Sequence, residues 1–448
     1  MNQRPRPRIH FAPKSGWMND PNGLIQHNGY FHLFYQCREL GDGDRRLKWG
    51  HARSADLLHW EDLPIALEPT PGGPDQDGCF SGCATVHGEE VWVLYTGVHG
   101  ARQRPCLARA SDADLLRLEK CPENPVIAEP PVPIVAGFRD HTLREEDGVI
   151  RQLVGSGTPE SGGCVFEYRS KDLLAWEYVG VFSDSADTGV PGTMWECPDL
   201  FMLEGSWHLI ISTHTEHPND VWYLSGQVSP EGFAPFATGR MDLGARWYAP
   251  QSFTADDGRR IVFGWLREHE EEVPQDLASR VGVMSLPREY VTKANGALGM
   301  RPCRELLGLR QQEFVPVSGD GDTARIDVGH LQALEVVVED PGGSGDLVIE
   351  LTDGANTRVA VASLSGDRAA IGREPRGGER DPRASGAVRL FFDSGVCELF
   401  TPEGGSCSEV IYGGATVSSV SVRLVGADRP LPATAVVAYE LASVWDRV

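Results

Sequence analysis

An internal repeat is the feature that most limits what this chain can fold into. The segments SADLLHWE (54–61), DADLLRLE (112–119) and SKDLLAWE (170–177) share a D-L-L-x-Φ-E core, Φ being Trp or Leu. Their aspartates fall at equal intervals, at Asp56, Asp114 and Asp172. That interval holds one four-stranded antiparallel sheet with its turns, so the repeat predicts the blades of a β-propeller rather than a two-sheet sandwich. At this period, about five blades carry the chain to near residue 300.

Short strand-like runs support the same reading. They cover 30–36, 91–95, 149–154, 208–212 and 260–265, each bounded by Gly, Asn, Asp or Pro. Convincing amphipathic helices are scarce, so the fold class expected is all-β. The segment PCRELLGLR (302–310) reads as a short helical connector. Beyond it, 334–338, 347–351, 388–392 and 417–424 read as strands separated by Gly-rich turns, the pattern of a β-sandwich. The expected organisation is a five-bladed catalytic propeller over 1–300, a connector over 301–312 and a sandwich over 313–448.

Charge and cysteine usage narrow the partners. With 64 acidic residues against 41 basic ones, the formal net charge is -23. Such a field repels nucleic acid and anionic lipid, leaving a neutral small molecule as the partner of choice. No apolar run follows the basic N-terminal residues, so neither a leader nor a membrane span is expected, and a cytoplasmic location is. The ten cysteines are scattered singly and are expected to be reduced thiols. No Cys-x-x-Cys pair occurs, and the one His-x-x-His, at His214 and His217, lies in a polar stretch; no metal or organic cofactor is expected.

The chemistry-bearing residues lie in three separate segments. GWMNDPNGLI places Asp20 in an excellent turn just before a strand, GFRDH sets Arg139 beside Asp140, and MWECPDLF sets Glu196 beside Cys197. At comparable phases of successive blades, these acids converge on the central axis. Glycoside hydrolysis is a reason to gather them: a retaining enzyme uses an ionised carboxylate to attack the anomeric carbon and a protonated carboxyl about 5 Å away to assist the leaving oxygen. Repulsion and desolvation favour Glu196 as the protonated acid, with Arg139 keeping Asp140 ionised.

Taken in order, WMNDPNG, CFSG (79–82), RD, WECPD, WYAPQSF (247–253) and FGWL (263–266) resemble glycoside hydrolase family 32 over roughly residues 8–290. The resemblance implies a five-bladed propeller with a C-terminal β-sandwich, cleaving β-fructofuranosyl linkages without a cofactor. It also implies Asp20 as nucleophile, Asp140 as transition-state stabiliser and Glu196 as general acid/base. Asn19, Gln36, Phe80, Ser81, Arg139, Cys197, Tyr248 and Trp265 match the surrounding substrate-binding set. Trp17, Trp49 and Trp265 are candidate platforms for a sugar ring, Trp265 foremost; His51 and His59 read as structural members of the first blade.

Two departures point to specificity. After Gln36 the family's Asn-Pro pair and tryptophan give way to CRELGDGDRRLK. This is either a solvated loop or a place where Arg45, Arg46 and Lys48 meet a phosphate. The usual Arg-Asp-Pro becomes Arg139-Asp140-His141, which frees a backbone N–H and makes His141 a candidate pocket residue. Alternative functions are hydrolysis or transfer of another ketofuranosyl or phosphorylated fructoside, and a catalytically silent carbohydrate-binding propeller.

Overall fold

The computed structural model describes residues 6–41, 43–215, 220–230, 232–275, 277–293, 295–320, 323–339, 345–365, 368–372, 376–377, 386–412, 414–427 and 430–445. These residues form an all-β protein, whose helical content among them is one four-residue α-helix and two 3₁₀ turns. Five sheets follow one another along the chain from Gly16 to Pro302, antiparallel except where the short strand Arg280–Val281 joins the first sheet in parallel, and six- and seven-stranded sheets follow from Arg310 to Leu441.

In each of the five sheets the first long strand lies on the inside. These strands are Gly16–His27, Gly78–His87, Arg139–Glu146, Met194–Leu203 and Trp247–Thr254. Each contacts the next, and the fifth contacts the first, so the sheets close into a ring. Apolar side chains fill every seam. Phe34, Trp49 and Tyr95 join sheets one and two, and Cys83, Leu94, Leu107 and Ile150 join two and three. Leu153, Val165, Trp195 and Leu209 join three and four, Phe201, Ile210, Trp247 and Val262 join four and five, and Leu33, Tyr35, Ile261 and Phe263 close five onto one. Burial of both faces of each sheet replaces a single central core.

The three repeat segments occupy equivalent places, each between the third and fourth strands of its sheet. Leu57, Leu115 and Leu173 all take a left-handed conformation, with φ of 66°, 57° and 64°, and all are buried. Asp56 Oδ1 accepts from the N–H groups of Leu58 and His59, and Asp172 Oδ1 from those of Leu174 and Ala175. In the middle repeat the capping aspartate is Asp112, not Asp114, and it accepts from Leu116 and Arg117. The first and third repeats carry serine at the equivalent position (Ser54, Ser170), so the acceptor has moved two residues upstream.

The two C-terminal sheets pack face to face over Val336, Leu390, Phe392 and Leu399 on one side and Ile326, Ile349, Leu351 and Val422 on the other. The strand Asp346–Thr352 alternates buried and partly exposed positions as a half-buried strand must. A buried polar network ties these sheets to the ring and to the N-terminal segment. Asp393 accepts from the N–H groups of Arg8, Ile9 and His10 at 2.7, 2.8 and 3.1 Å. The His10 ring lies between Asp393 (2.9 Å) and Glu398 (3.1 Å), and Arg288 bridges Glu398 and Asp242 at 2.7 and 3.0 Å.

Burial pulls the His10 pKa down, but its contacts with Asp393 and Glu398 outweigh that and raise it to about 9. A pKa raised on folding contributes stability that is full below the unfolded value of about 6.5 and is lost as pH rises through the folded value. The contribution is about 3 kcal/mol. The midpoint of denaturant unfolding should therefore fall between pH 7 and 10. In His10→Leu, which leaves the buried Asp393 without a cation and Glu398 with Arg288 alone, stability should be lower by about 3 kcal/mol at neutral pH and this pH dependence should flatten.

Candidate active site

The inner strand of every sheet in the ring breaks register, the first of them twice, and Asp20, Ser81, Asp140, Glu196, Cys197 and Tyr248 sit at or beside one break in each. Those breaks fall between Met18 and Pro21, Phe80 and Gly82, Arg139 and His141, Glu196 and Asp199, and Tyr248 and Gln251. A β-bulge adds a residue on one strand and re-aims its side chain. Three of these bulges hold a non-glycine residue in the left-handed region: Asp140 at φ 61°, Cys197 at 48° and Ala249 at 48°. In the second, Gly82 is obligatory for a different reason: a Cβ there would lie 1.9 Å from the Leu94 carbonyl oxygen.

Asp20, Asp140 and Glu196, widely separated in sequence, meet at this centre. Asp20 Oδ2 accepts from Ser81 Oγ at 2.6 Å and from Gln36 Nε2 at 3.3 Å, and Gln36 also bonds Ser81. Asp140 Oδ2 accepts from the backbone N–H of Cys197 at 3.1 Å. The Cys197 thiol lies between the two acids, 3.9 Å from Asp20 Oδ2 and 3.5 Å from Asp140 Oδ2. Glu196 accepts from Tyr248 Oη at 2.5 Å and from Arg139, whose Nε lies at 3.1 Å and whose Nη2 approaches closer still. Of the proposed binding set, Phe80 is the next residue to Ser81 and its carbonyl accepts the Trp49 indole N–H at 3.0 Å. Trp265 lies edge-on to Trp17 at 6.1 Å, in the apolar cluster that includes Tyr248 and touches Trp17 and Cys197. The buried Asn19 Oδ1 and Trp265 Nε1 have no hydrogen-bond partner, leaving an acceptor and a donor for a polar ligand.

The electrostatics differ from the sequence expectation. Arg139 pairs most closely with Glu196, and its Nε also lies 3.9 Å from Asp140. Burial, helped by the charge of Asp140 and opposed by the Ser81 hydrogen bond, raises Asp20 to about 8. Burial also raises Asp140, against the pull of Arg139, to about 6. Three carboxyl groups share one guanidinium, so the pocket retains a proton at neutral pH. Burial keeps the Cys197 thiol well above its ordinary pKa and therefore neutral.

Other sequence candidates separate from the site. Trp49 is fully buried in the seam between the first two sheets, so it is core and not a sugar platform. His51 is buried against Phe34 and His32. His141 is 2% exposed and bonds Thr96 and Gln152, lining with Ser81, Asp140 and Cys197 a small enclosed cavity behind the reacting groups. Lys48 pairs with Glu68 and Arg46 with Asp44, and Arg45 is exposed. Arg38, at the start of that loop, lies over the Trp17 ring at 5.1 Å and pairs with Glu270. His214 is exposed, and His217 lies outside the described residues. Among the described residues no cluster of metal-ligating side chains occurs, and no helix is long and apolar enough to cross a membrane.

Sequence reasoning missed several supports. Gln103 accepts from Arg139 Nη1 at 2.8 Å. Gln251 accepts from Leu24 N at 2.9 Å and donates to Gly82 O at 2.7 Å, tying the fifth sheet to the first and second. Asp199, the acid of the WECPD motif just past Glu196, is held by Ser252 and by Arg260 at 3.0 Å. A lone Gln in a strand carries no signal of its own. Only the APQSF motif pointed near Gln251.

This geometry, an acid trio in a ring of five sheets, belongs to a glycosidase. The "Glycosyl hydrolases family 32 N-terminal domain" model matches residues 10–302. A sucrose-6-phosphate hydrolase of Escherichia coli is 34% identical over 426 residues, covering 89% of this chain and 87% of that protein. A raffinose invertase of Escherichia coli is 34% identical over 354 residues, covering 74% and 72%. Among solved structures, a GH32 β-fructofuranosidase of Bombyx mori superposes with a TM-score of 0.82 at 28% identity, covering 100% of this chain and 96% of that one. The chain belongs to glycoside hydrolase family 32, and it is a retaining glycosidase of the β-fructofuranosidase type.

Because Arg46 and Lys48 already have carboxylate partners on the surface, replacing Arg45, Arg46 and Lys48 together with Ala should change kcat/KM for either sucrose or sucrose 6-phosphate by no more than about threefold. Parallel assays of the two sugars with wild type and triple variant check this. A selective loss on the phosphorylated sugar would return the phosphate contact to this loop.

Proposed function

We propose that the protein hydrolyses the fructosyl linkage of sucrose-type substrates, including sucrose 6-phosphate, with Asp20 as nucleophile, Asp140 as stabiliser and Glu196 as acid/base. The observation that carries this reading is the junction at Cys197, whose thiol lies within 3.9 Å of both Asp20 and Asp140 and whose preceding residue is Glu196, anchored by Arg139 and Tyr248. Asp20 Oδ attacks the anomeric carbon as the glycosidic C–O bond breaks, and the Glu196 proton passes to the departing oxygen. Water then attacks the fructosyl-enzyme ester, giving its proton to Glu196 and releasing the Asp20 carboxylate. Asp140 accepts hydrogen bonds from fructosyl hydroxyls. Asn19 Oδ1 and Trp265 Nε1, buried without partners, suit further hydroxyls, since a sugar that pairs them removes the cost of leaving them unsatisfied. Gln36 and Ser81 hold the Asp20 end of the pocket, and Phe80 precedes Ser81 on the same strand.

The substrate assignment is supported by the names of relatives such as the Escherichia coli sucrose-6-phosphate hydrolase. The fine architecture belongs to the same proposal: a five-bladed propeller over 1–300, a connector over 301–312 and a β-sandwich over 313–448. The cyclic contacts of the inner strands support the propeller, and the 3₁₀ turn Arg304–Leu309 falls within the connector. A cytoplasmic location fits ten cysteines that are all free.

The reactive form is the one in which the acid cluster holds a single proton. A second proton, which silences it, binds at about 6, the level of Asp140. The first proton is lost at about 8, the level of Asp20. The kcat/KM profile should therefore be a bell with limbs near these two values, belonging to the acid cluster and not to single residues. Ser81→Ala removes a donor that favours ionised Asp20 and should move the upper limb to higher pH; an unmoved limb would detach it from Asp20.

Asp20→Asn should fold normally and lose at least about a thousandfold in kcat. Glu196→Gln, given a substrate whose leaving group needs little protonation, should form the fructosyl-enzyme and stall, an adduct visible by mass spectrometry. Near-normal turnover by Asp20→Asn would overturn the assignment.

A further inference from the structure

Behind the pocket, a chain of buried hydrogen bonds joins the bulge that carries Ser81 to the bulge that carries Asp140. Thr96 lies on the strand Glu90–His99 and Gln152 on Val149–Thr158, each the strand paired with one of the two bulged strands. Thr96 Oγ1 donates to the Ser81 carbonyl at 3.0 Å and accepts from the Asp140 backbone N–H at 3.1 Å. The His141 ring spans from Thr96 Oγ1 at 3.0 Å to Gln152 Nε2 at 2.9 Å. Thr96 and Gln152 are 0% exposed and His141 is 2% exposed.

The partners fix where the protons sit. The Gln152 amide nitrogen can only donate, so His141 Nδ1 accepts and the ring hydrogen is on Nε2. The Ser81 carbonyl can only accept, so it takes the Thr96 hydroxyl hydrogen. The Thr96 oxygen then uses its two lone pairs for the N–H of Asp140 and the Nε2–H of His141. Burial, which pushes the His141 pKa down to about 3, agrees with a neutral ring.

We propose that His141 is a positioning residue: as a neutral Nε2–H donor it locks Thr96 and so fixes the Ser81 bulge, which holds Asp20, against the Asp140 bulge. The proposal rests on the roles assigned above to Asp20 and Asp140. Asp140 needs such support because its backbone is in the left-handed region at φ 61°, which a residue with a Cβ occupies only when its surroundings hold it there. The histidine thus supplies a side-chain link between two sheets at the level of the reacting groups.

The test is kcat and KM on sucrose for His141→Leu, His141→Gln, Thr96→Val, Thr96→Ser and the double variant His141→Leu/Thr96→Val, with thermal melting beside them. His141→Leu and Thr96→Val should lower kcat by about tenfold to a hundredfold, as displacement of reacting groups does, with KM moved no more than about twofold. Glutamine places an N–H close to that of Nε2 and serine keeps the hydroxyl, so these two variants should recover to within about threefold of wild type. The double variant should be no worse than Thr96→Val alone, because both changes cut one chain. If His141→Leu does not fold, the nearly isosteric Thr96→Val and Thr96→Ser carry the test. A wild-type kcat in Thr96→Val, with only the melting temperature lowered, overturns the proposal, as does a His141→Gln as impaired as His141→Leu. Asp140→Asn separates the two readings: if it keeps wild-type kcat, the roles themselves fail, whereas if it is inactive beside a fully active His141→Leu, only the positioning role fails.

Discussion

Three carboxyl groups share one guanidinium at the centre of the molecule, and crowding like charges in a desolvated place is unfavourable unless the backbone around them is fixed. Asp20 and Asp140 both have raised pKa values from burial and from their acidic neighbours, while Glu196 takes the Arg139 ion pair. Burial, reinforced by the repulsion between neighbouring acids, makes the site hold a proton at neutral pH, and a group that attacks carbon beside a group that gives up a proton needs such a division. Left mobile, the three side chains would separate and lie in water.

The ring meets that demand with backbone irregularity. Each inner strand breaks its ladder beside the site, and at three of these breaks a residue with a Cβ takes a left-handed conformation. Such conformations cost of order 1–3 kcal/mol each and persist only where the surroundings over-determine them. Here the surroundings are the seams between sheets, packed with aromatic and aliphatic side chains, and cross-sheet bonds such as those of Gln251 to Leu24 and Gly82. Apolar burial around the ring thus supports a polar, strained centre.

The C-terminal sheets contribute by closing the structure from outside. Arg288, in the fifth sheet, and Asp393 and Glu398, in the six-stranded sheet, are completely buried with His10 between the two acids. Removing one partner would strand a charge in the interior, which is costlier than never having buried the pair. The fifth sheet, which supplies Tyr248 and Trp265, is consequently held on its outer side by residues far away in sequence.

Much of this was legible in the chain itself. The equal spacing of the D-L-L-x-Φ-E segments reported a repeated sheet because each segment makes the same tight connection with a left-handed leucine, and that local geometry must be written locally. The acids and their motifs marked the site because the chemistry needs those groups whatever surrounds them. Contacts between distant side chains were not legible: that Arg139 is shared between Glu196 and its neighbour Asp140, that Trp49 fills a seam, that Arg46 and Lys48 are already paired, and that His141 faces Thr96 and Gln152. Strand pairing and turn chemistry depend on residues a few positions apart, so the sequence determines them directly, whereas the partner of a charged or aromatic side chain depends on how five sheets close, and that is settled only when the ring forms.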